Sequence, residues 1–300
     1  MARIAEWCAV AALGLLAAFP LGAAPADYAV SVTQARAERV EQLKQMDGYL
    51  ALTASGWLQP GANSVGSAAG NRFEVPGAPA HLGTLQLAAD GQVSLHLTET
   101  RGITIDGQPA AAVNVLRTQG PDGKQQPTRV GFGGSYLYVI ENGAQRGLRA
   151  KNNDAPLRTH FPGFDYFTID PSWRIEADWV PFPTPHMLKI AYVTGIESDT
   201  PIAGKAVFRR DGHTYELLPI DEDGRLFFVF SDRTAGRLTY GGARFLYAAA
   251  PKNGKVLLDF NLAENPPCAI TPHVVCPLAP PENRLKLPVT AGEMKFRGHD

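Results

Sequence analysis

Pairs of a turn-forming residue and a glycine recur along this chain, and they constrain its fold more than any other feature. Asp-Gly stands at 90–91, 106–107, 122–123, 211–212 and 223–224, and Asn-Gly at 142–143 and 253–254. Such pairs accept positive φ at small steric cost, as tight turns between antiparallel strands require. Strand-like runs flank most of them, at 84–87, 93–97, 135–140, 205–209, 214–220, 226–230, 244–247 and 255–261. The spacing predicts antiparallel meanders. No long helical pattern alternates with the runs, which argues against an α/β layout. The 30 Gly and 24 Pro follow no period, which suits a turn-rich β protein.

One helix is predicted, over 30–47. Ser31 or Thr33 can cap it, Val40 and Leu43 form a thin apolar stripe, and Asp47-Gly48 supplies the stop. Residues 151–156, Lys-Asn-Asn-Asp-Ala-Pro, are polar and turn-prone and mark a boundary. From 266 to 288 the chain holds seven prolines. Proline lacks the ladder donor, so this stretch is expected to run as an extended strap over the body. The fold class is therefore mainly β. Two antiparallel modules, sandwich or barrel-like, occupy 49–155 and 156–262, preceded by a helix within 27–48 and followed by a strap over 263–300.

The first 26 residues read as a secretion signal. Arg3 begins it, an apolar run from 7 to 21 follows, and Ala24-Pro25-Ala26 offers a cleavage end before Asp27. The run falls short of the ~20 apolar residues of a comfortable span; the alternative is an uncleaved anchor. Export to the periplasm or medium is the expectation, with no stable membrane span after cleavage. The net charge is −1, so there is no electrostatic footprint for nucleic acid. The expected partner is a small molecule or an envelope component.

Candidate site residues come from the tail. A two-residue turn at Asn253-Gly254 would set Lys252 opposite Lys255, Ala248 opposite Asp259, Leu246 opposite Asn261 and Arg244 opposite Ala263. Phe245, Tyr247, Val256, Leu258, Phe260 and Leu262 then share an apolar face. Arg244, Asp259 and Asn261 gather on the other. They are either a site or a structural pair that pins the strap. Asn265 and Glu282-Asn283-Arg284 have the same two readings: an acid and an anion clamp, or ties between strap and body. Arg146 and Arg149 flank a Gly-Leu on a strand, where they either grip a carboxylate or phosphate or lie on a solvated face.

The tail residues also carry a resemblance. Asp259-Phe260-Asn261, Asn265-Pro266-Pro267-Cys268-Ala269, Cys276-Pro277-Leu278 and Pro281-Glu282-Asn283-Arg284-Leu285 resemble the bacterial family of domain of unknown function 1684. Gly241 to Tyr247, Arg146-Gly147-Leu148-Arg149 and Phe164-Asp165-Tyr166-Phe167 fit it too, over roughly 45–293. The resemblance implies no activity. The segment 61–85, with Asn71-Arg72-Phe73-Glu74-Val75 and His81, is similar to the start of a forkhead-associated domain. Ser67 stands where that family places its phosphate-reading Arg, so this likeness implies β architecture alone.

Loss of the signal removes Cys8 and leaves Cys268 and Cys276, one even pair. In an oxidising compartment the pair is expected to form a disulfide. Closing a nine-residue loop contributes roughly 2.5 kcal/mol. Buried structural thiols are the second reading, and a Cys268 nucleophile with a His273 base the third. The spacing is not a zinc spacing, and neither metal nor cofactor is implied. No Gly-x-Ser-x-Gly elbow, His-Glu-x-x-His or phosphate loop occurs. The chain thus reads as a non-catalytic binding or accessory protein. The alternative is a hydrolase or small-ligand site where the strap crosses the Arg244/Asp259/Asn261 face.

Overall fold

A computed structural model describes residues 25–120, 125–193, 195, 197–222 and 224–298. The signal reading and the turn at 122–123 lie outside the described residues. The fold is mainly β, with one long N-terminal helix, α1 (Pro25–Lys44). It starts earlier than predicted, so Ser31 and Thr33 do not cap it. Their hydroxyls donate back to the carbonyls of Tyr28 and Ala29, as interior Ser and Thr do. Tyr28, Val32 and Leu43 form its buried face.

The turn chemistry behaves as the dipeptides require. At Asp106-Gly107, Asp211-Gly212 and Asn253-Gly254 both residues have positive φ, between 50° and 82°. That twist matches antiparallel strands.

Two sheets pack into a sandwich. One has seven strands, with Leu52–Trp57, Gln145–Asn152, Ser135–Asn142, Val130–Phe132 and Ile103–Ile105 as neighbours in that order. The other has five, centred on Gly61–Gly66, Gly83–Leu87 and Val93–Leu97. Leu137, Val139, Leu148 and Ala150 of the first meet Val65, Leu85, Val93 and Leu95 of the second in one core. Period-2 alternation does this, because every second side chain faces inward.

The rest is built from a four-stranded sheet in the order His213–Leu217, Glu197–Arg210, Arg174–Ala191, Lys255–Asp259, and a three-stranded sheet of Ile220–Glu222, Arg225–Phe230 and Arg244–Ala249. Their shared core holds Phe208, Phe228, Phe230, Leu258 and Phe260. The strap closes it: Leu285, Leu287, Val289 and Ala291 are buried there, while Arg284, Lys286, Pro288 and Thr290 are exposed. It is extended and crosses the body, as its prolines dictate.

The last hairpin differs from the expectation. Lys252 does face Lys255 across the turn, but the flanking strands then part into different sheets. Arg244 lies opposite Phe230, and Asp259 opposite Arg174. Strand Arg244–Ala249 is buried on both faces, with Leu246 and Ala248 in one core and Phe245 and Tyr247 in another. A strand covered on both sides gives no alternation from which a partner could be read.

Candidate functional site

The predicted cluster of Arg244, Asp259 and Asn261 is dispersed, because the strands that carry them diverge. Arg244 is 1% exposed. Its Nη1 lies 3.1 Å from Asp232 Oδ2 and 3.0 Å from the carbonyl of Val289, and its Nη2 donates to the carbonyl of Ala291. Asp232 Oδ1 accepts from the amides of Thr234 and Val289. The pair therefore grips the strap through its backbone.

Asp259 and Asn261 hold α1 instead. Tyr28 Oη donates to Asp259 Oδ1 at 2.7 Å, and Asn261 Nδ2 lies 2.9 Å from the same hydroxyl. Burial raises the pKa of Asp259, against the hydrogen bond from Tyr28. Asn261 also exchanges bonds with the backbone of Asp170, at 3.0 and 2.8 Å. Asn265 donates from its amide and Nδ2 to Glu293 Oε2. Asn283, fully buried, bonds both backbone groups of Leu218 and the carbonyl of Val229. Glu282 and Arg284 are exposed beside it; Arg284 Nε donates to the carbonyl of Ala279. These polar residues satisfy buried backbone groups, which is what burial demands of them.

Arg149 has a different setting. Cross-strand pairing puts Ser55, Arg149 and Tyr138 in one row on the outer face of the seven-stranded sheet, with Trp57, Gly147 and Ile140 in the next row. Directly opposed residues share a face. Gly147 lets the side chains pack closely here, since a Cβ would stand 3.0 Å from the Trp57 ring and 3.3 Å from Ile140. The strap segment 272–275 crosses above and leaves a cleft of about 70 Å³. Trp57, Ile140, Pro272 and Val275 give it apolar walls; Arg149, His273 and Ser55 give it polar ones. This is far below the ~300 Å³ of sites for drug-sized ligands, so it suits a head group or a small molecule.

His273 Nδ1 lies 3.5 Å from Ser55 Oγ, and burial lowers the His273 pKa. Arg149 bonds the Tyr138 hydroxyl, whose pKa burial raises. Among the described residues no carboxylate forms an ion pair with Arg149. The neighbouring row is closed by contrast. Lys151 donates to the carbonyl of Asp47, whose carboxylate takes Tyr136 and Arg129, and burial pulls Lys151 down to about 8. Ser55 carried no signal in the sequence, since a serine in a strand has no distinguishing spacing.

Cys268 and Cys276 are free thiols in contact with each other. The Cys268 amide donates to Cys276 Sγ at 3.2 Å. Hydrogen bonding from Cys276, then from Tyr240, lowers the Cys268 pKa, and that same contact raises the Cys276 pKa. Among the described residues no group of three His, Cys, Asp or Glu is placed to hold a metal, and no helix is long and apolar enough to cross a membrane.

The chain is thus a mainly β body whose C-terminal strap is tied down by polar side chains. Over residues 159–294 the chain matches the family described as protein of unknown function (DUF1684). The match excludes the sandwich, so it is narrower than the 45–293 expected. The chain is 33% identical to the uncharacterized protein from gene locus rrnAC0354 of Haloarcula marismortui, whose solution structure it covers to 78%, with 46% of this chain covered and a TM-score of 0.38. A crystal structure of Rad53 with AMP-PNP is 10% identical, with 75% of this chain and 51% of that one covered and a TM-score of 0.18. No curated protein matches.

Proposed function

We propose that this is an exported binding or accessory protein that takes a small anion with an apolar end in the cleft under the strap. One observation carries the reading: Arg149 lines that cleft with no ion-pair partner among the described residues, beside apolar walls. A partly buried guanidinium favours a carboxylate or phosphate, which it can hold through two parallel hydrogen bonds. Export rests on the signal-like residues 1–26.

The test uses hexanoate and benzoate as probes, with hexanol as the neutral control. Calorimetry or a thermal shift should detect both acids and not the alcohol. R149A should weaken the acids about tenfold or more. Equal response to hexanol, or an unaffected R149A, rejects the site. For export, the protein recovered from cells should begin at Asp27; an intact Met1 in the cytoplasm rejects it.

A second reading is a hydrolase in the same cleft, with Ser55 as nucleophile and His273 as base. Their 3.5 Å approach favours it. Ester hydrolysis of p-nitrophenyl butyrate that disappears in S55A would select this reading over pure binding.

A further inference from the structure

Cys268 and Cys276 are eight positions apart, and the chain between them contains the strip 272–275 that walls the cleft. We propose that the two cysteines are a reversible dithiol–disulfide couple that locks this wall in place; its consequence for ligand entry rests on the binding reading above.

Several observations support the couple. The two side chains touch, and Tyr240 also bonds Cys268. Both thiols sit against the apolar side chains of Phe227, Phe245 and Ala279. The segment between them is buried at Ala269, Ile270 and Thr271 and more open from 272 to 275. Ile270 is fully buried against Leu43, Leu50 and Phe296, and Val274 packs back on the thiol cluster. Pro272 and Val275 are exposed. A bond between the sulfurs would close this segment into a ring and restrict the strip that faces Arg149. The positive charge of Arg149 reaches Cys276, so the couple adjoins the cleft.

The two thiols are not equivalent. Cys268 is part-exposed and Cys276 is 2% exposed. Cys268 also receives the hydrogen bonds that favour its thiolate, which makes it the attacking sulfur. The oxidant is a low-molecular-weight disulfide. The Cys268 thiolate attacks one of its sulfurs, forms a mixed disulfide and expels one thiolate, which takes up a proton. Cys276 then loses its proton to solvent and attacks Cys268 Sγ, expelling the second thiolate. Two protein thiols are oxidised to one cystine, and one external disulfide is reduced to two thiols.

The full chain is equilibrated in mixtures of oxidised and reduced glutathione, quenched in acid, unfolded, alkylated and digested, and the peptides of Cys268 and Cys276 are weighed separately from that of Cys8. Both alkylation sites should vanish together and return in excess reduced glutathione. C276S should accumulate a glutathione adduct on Cys268, and C268S should remain unmodified at Cys276. Two free thiols in excess oxidised glutathione, or a wild-type adduct that never resolves, overturn the couple. Amide exchange over 270–275 should slow about tenfold on oxidation; equal rates overturn the lock. Hexanoate affinity is measured on both redox forms. Failure to bind either form removes the binding reading alone, and the thiol and exchange data still decide the couple and the lock.

Discussion

Arg39 stands between two carboxylates, with Nε 2.6 Å from Glu293 Oε1 and Nη1 3.0 Å from Glu264 Oε2. Its Nη2 also donates to the carbonyl of Asn265 at 2.9 Å. One side chain of α1 thus ties the start of the chain to its last segment, more than two hundred residues away.

That arrangement makes stability depend on pH. Burial pushes the Glu264 pKa from 4.5 up to about 7, with Arg39 opposing the shift and Glu293 adding to it. The unfolded chain releases this proton first as pH rises, so the stabilising contribution is complete below about 4.5 and lost as pH passes about 7. Urea unfolding at pH 4.5 and pH 8 should show the wild type losing up to about 3 kcal/mol relative to E264Q. Parallel losses in both proteins would reject it.

Arg244→Ala should lower stability by about 3–5 kcal/mol, because it strands Asp232 as an unpaired buried charge. R244M together with D232L should cost less than the two single changes summed. Denaturant titrations of the four proteins measure this, and an additive result would show that the pair does not act as a unit.

Asn283→Ala removes hydrogen bonds to Leu218 and Val229 and leaves buried backbone groups without partners. About 2–3 kcal/mol should be lost. Glu282→Ala, one position away on an exposed side chain, should stay within about 0.5 kcal/mol. Similar effects at the two positions would contradict the clamp assigned to Asn283.

Gly147→Ala places a methyl against the Trp57 ring and should displace the indole from the cleft wall. Such overpacking costs about 1–3 kcal/mol. The Trp57 emission should shift, measured against a W57F reference. R149A, in contrast, should melt as the wild type does.

Local features were legible because local rules decide them. Asn253-Gly254 makes its turn whatever lies beyond, and the seven prolines from 266 to 288 keep the tail extended. Strand Arg174–Ala191 was hidden by Pro181, Pro183 and Pro185. The structure absorbs them where the register with Glu197–Arg210 shifts between Pro181 and His186, as irregular ladder positions permit. The candidate site was partly legible: Arg149 was singled out, but its partners in the cleft lie nearly a hundred residues before it and more than a hundred after.

From the amino-acid order alone came the β class, the turns, the long N-terminal helix and the extended tail, since each depends on neighbours within a few positions. Only the tertiary structure decided that Arg244 meets Asp232, that Asp259 and Asn261 serve α1, and that Arg149 lines the cleft under the strap. Those outcomes depend on which faces are covered by distant segments, and burial between remote parts of a chain leaves no periodic trace in either part.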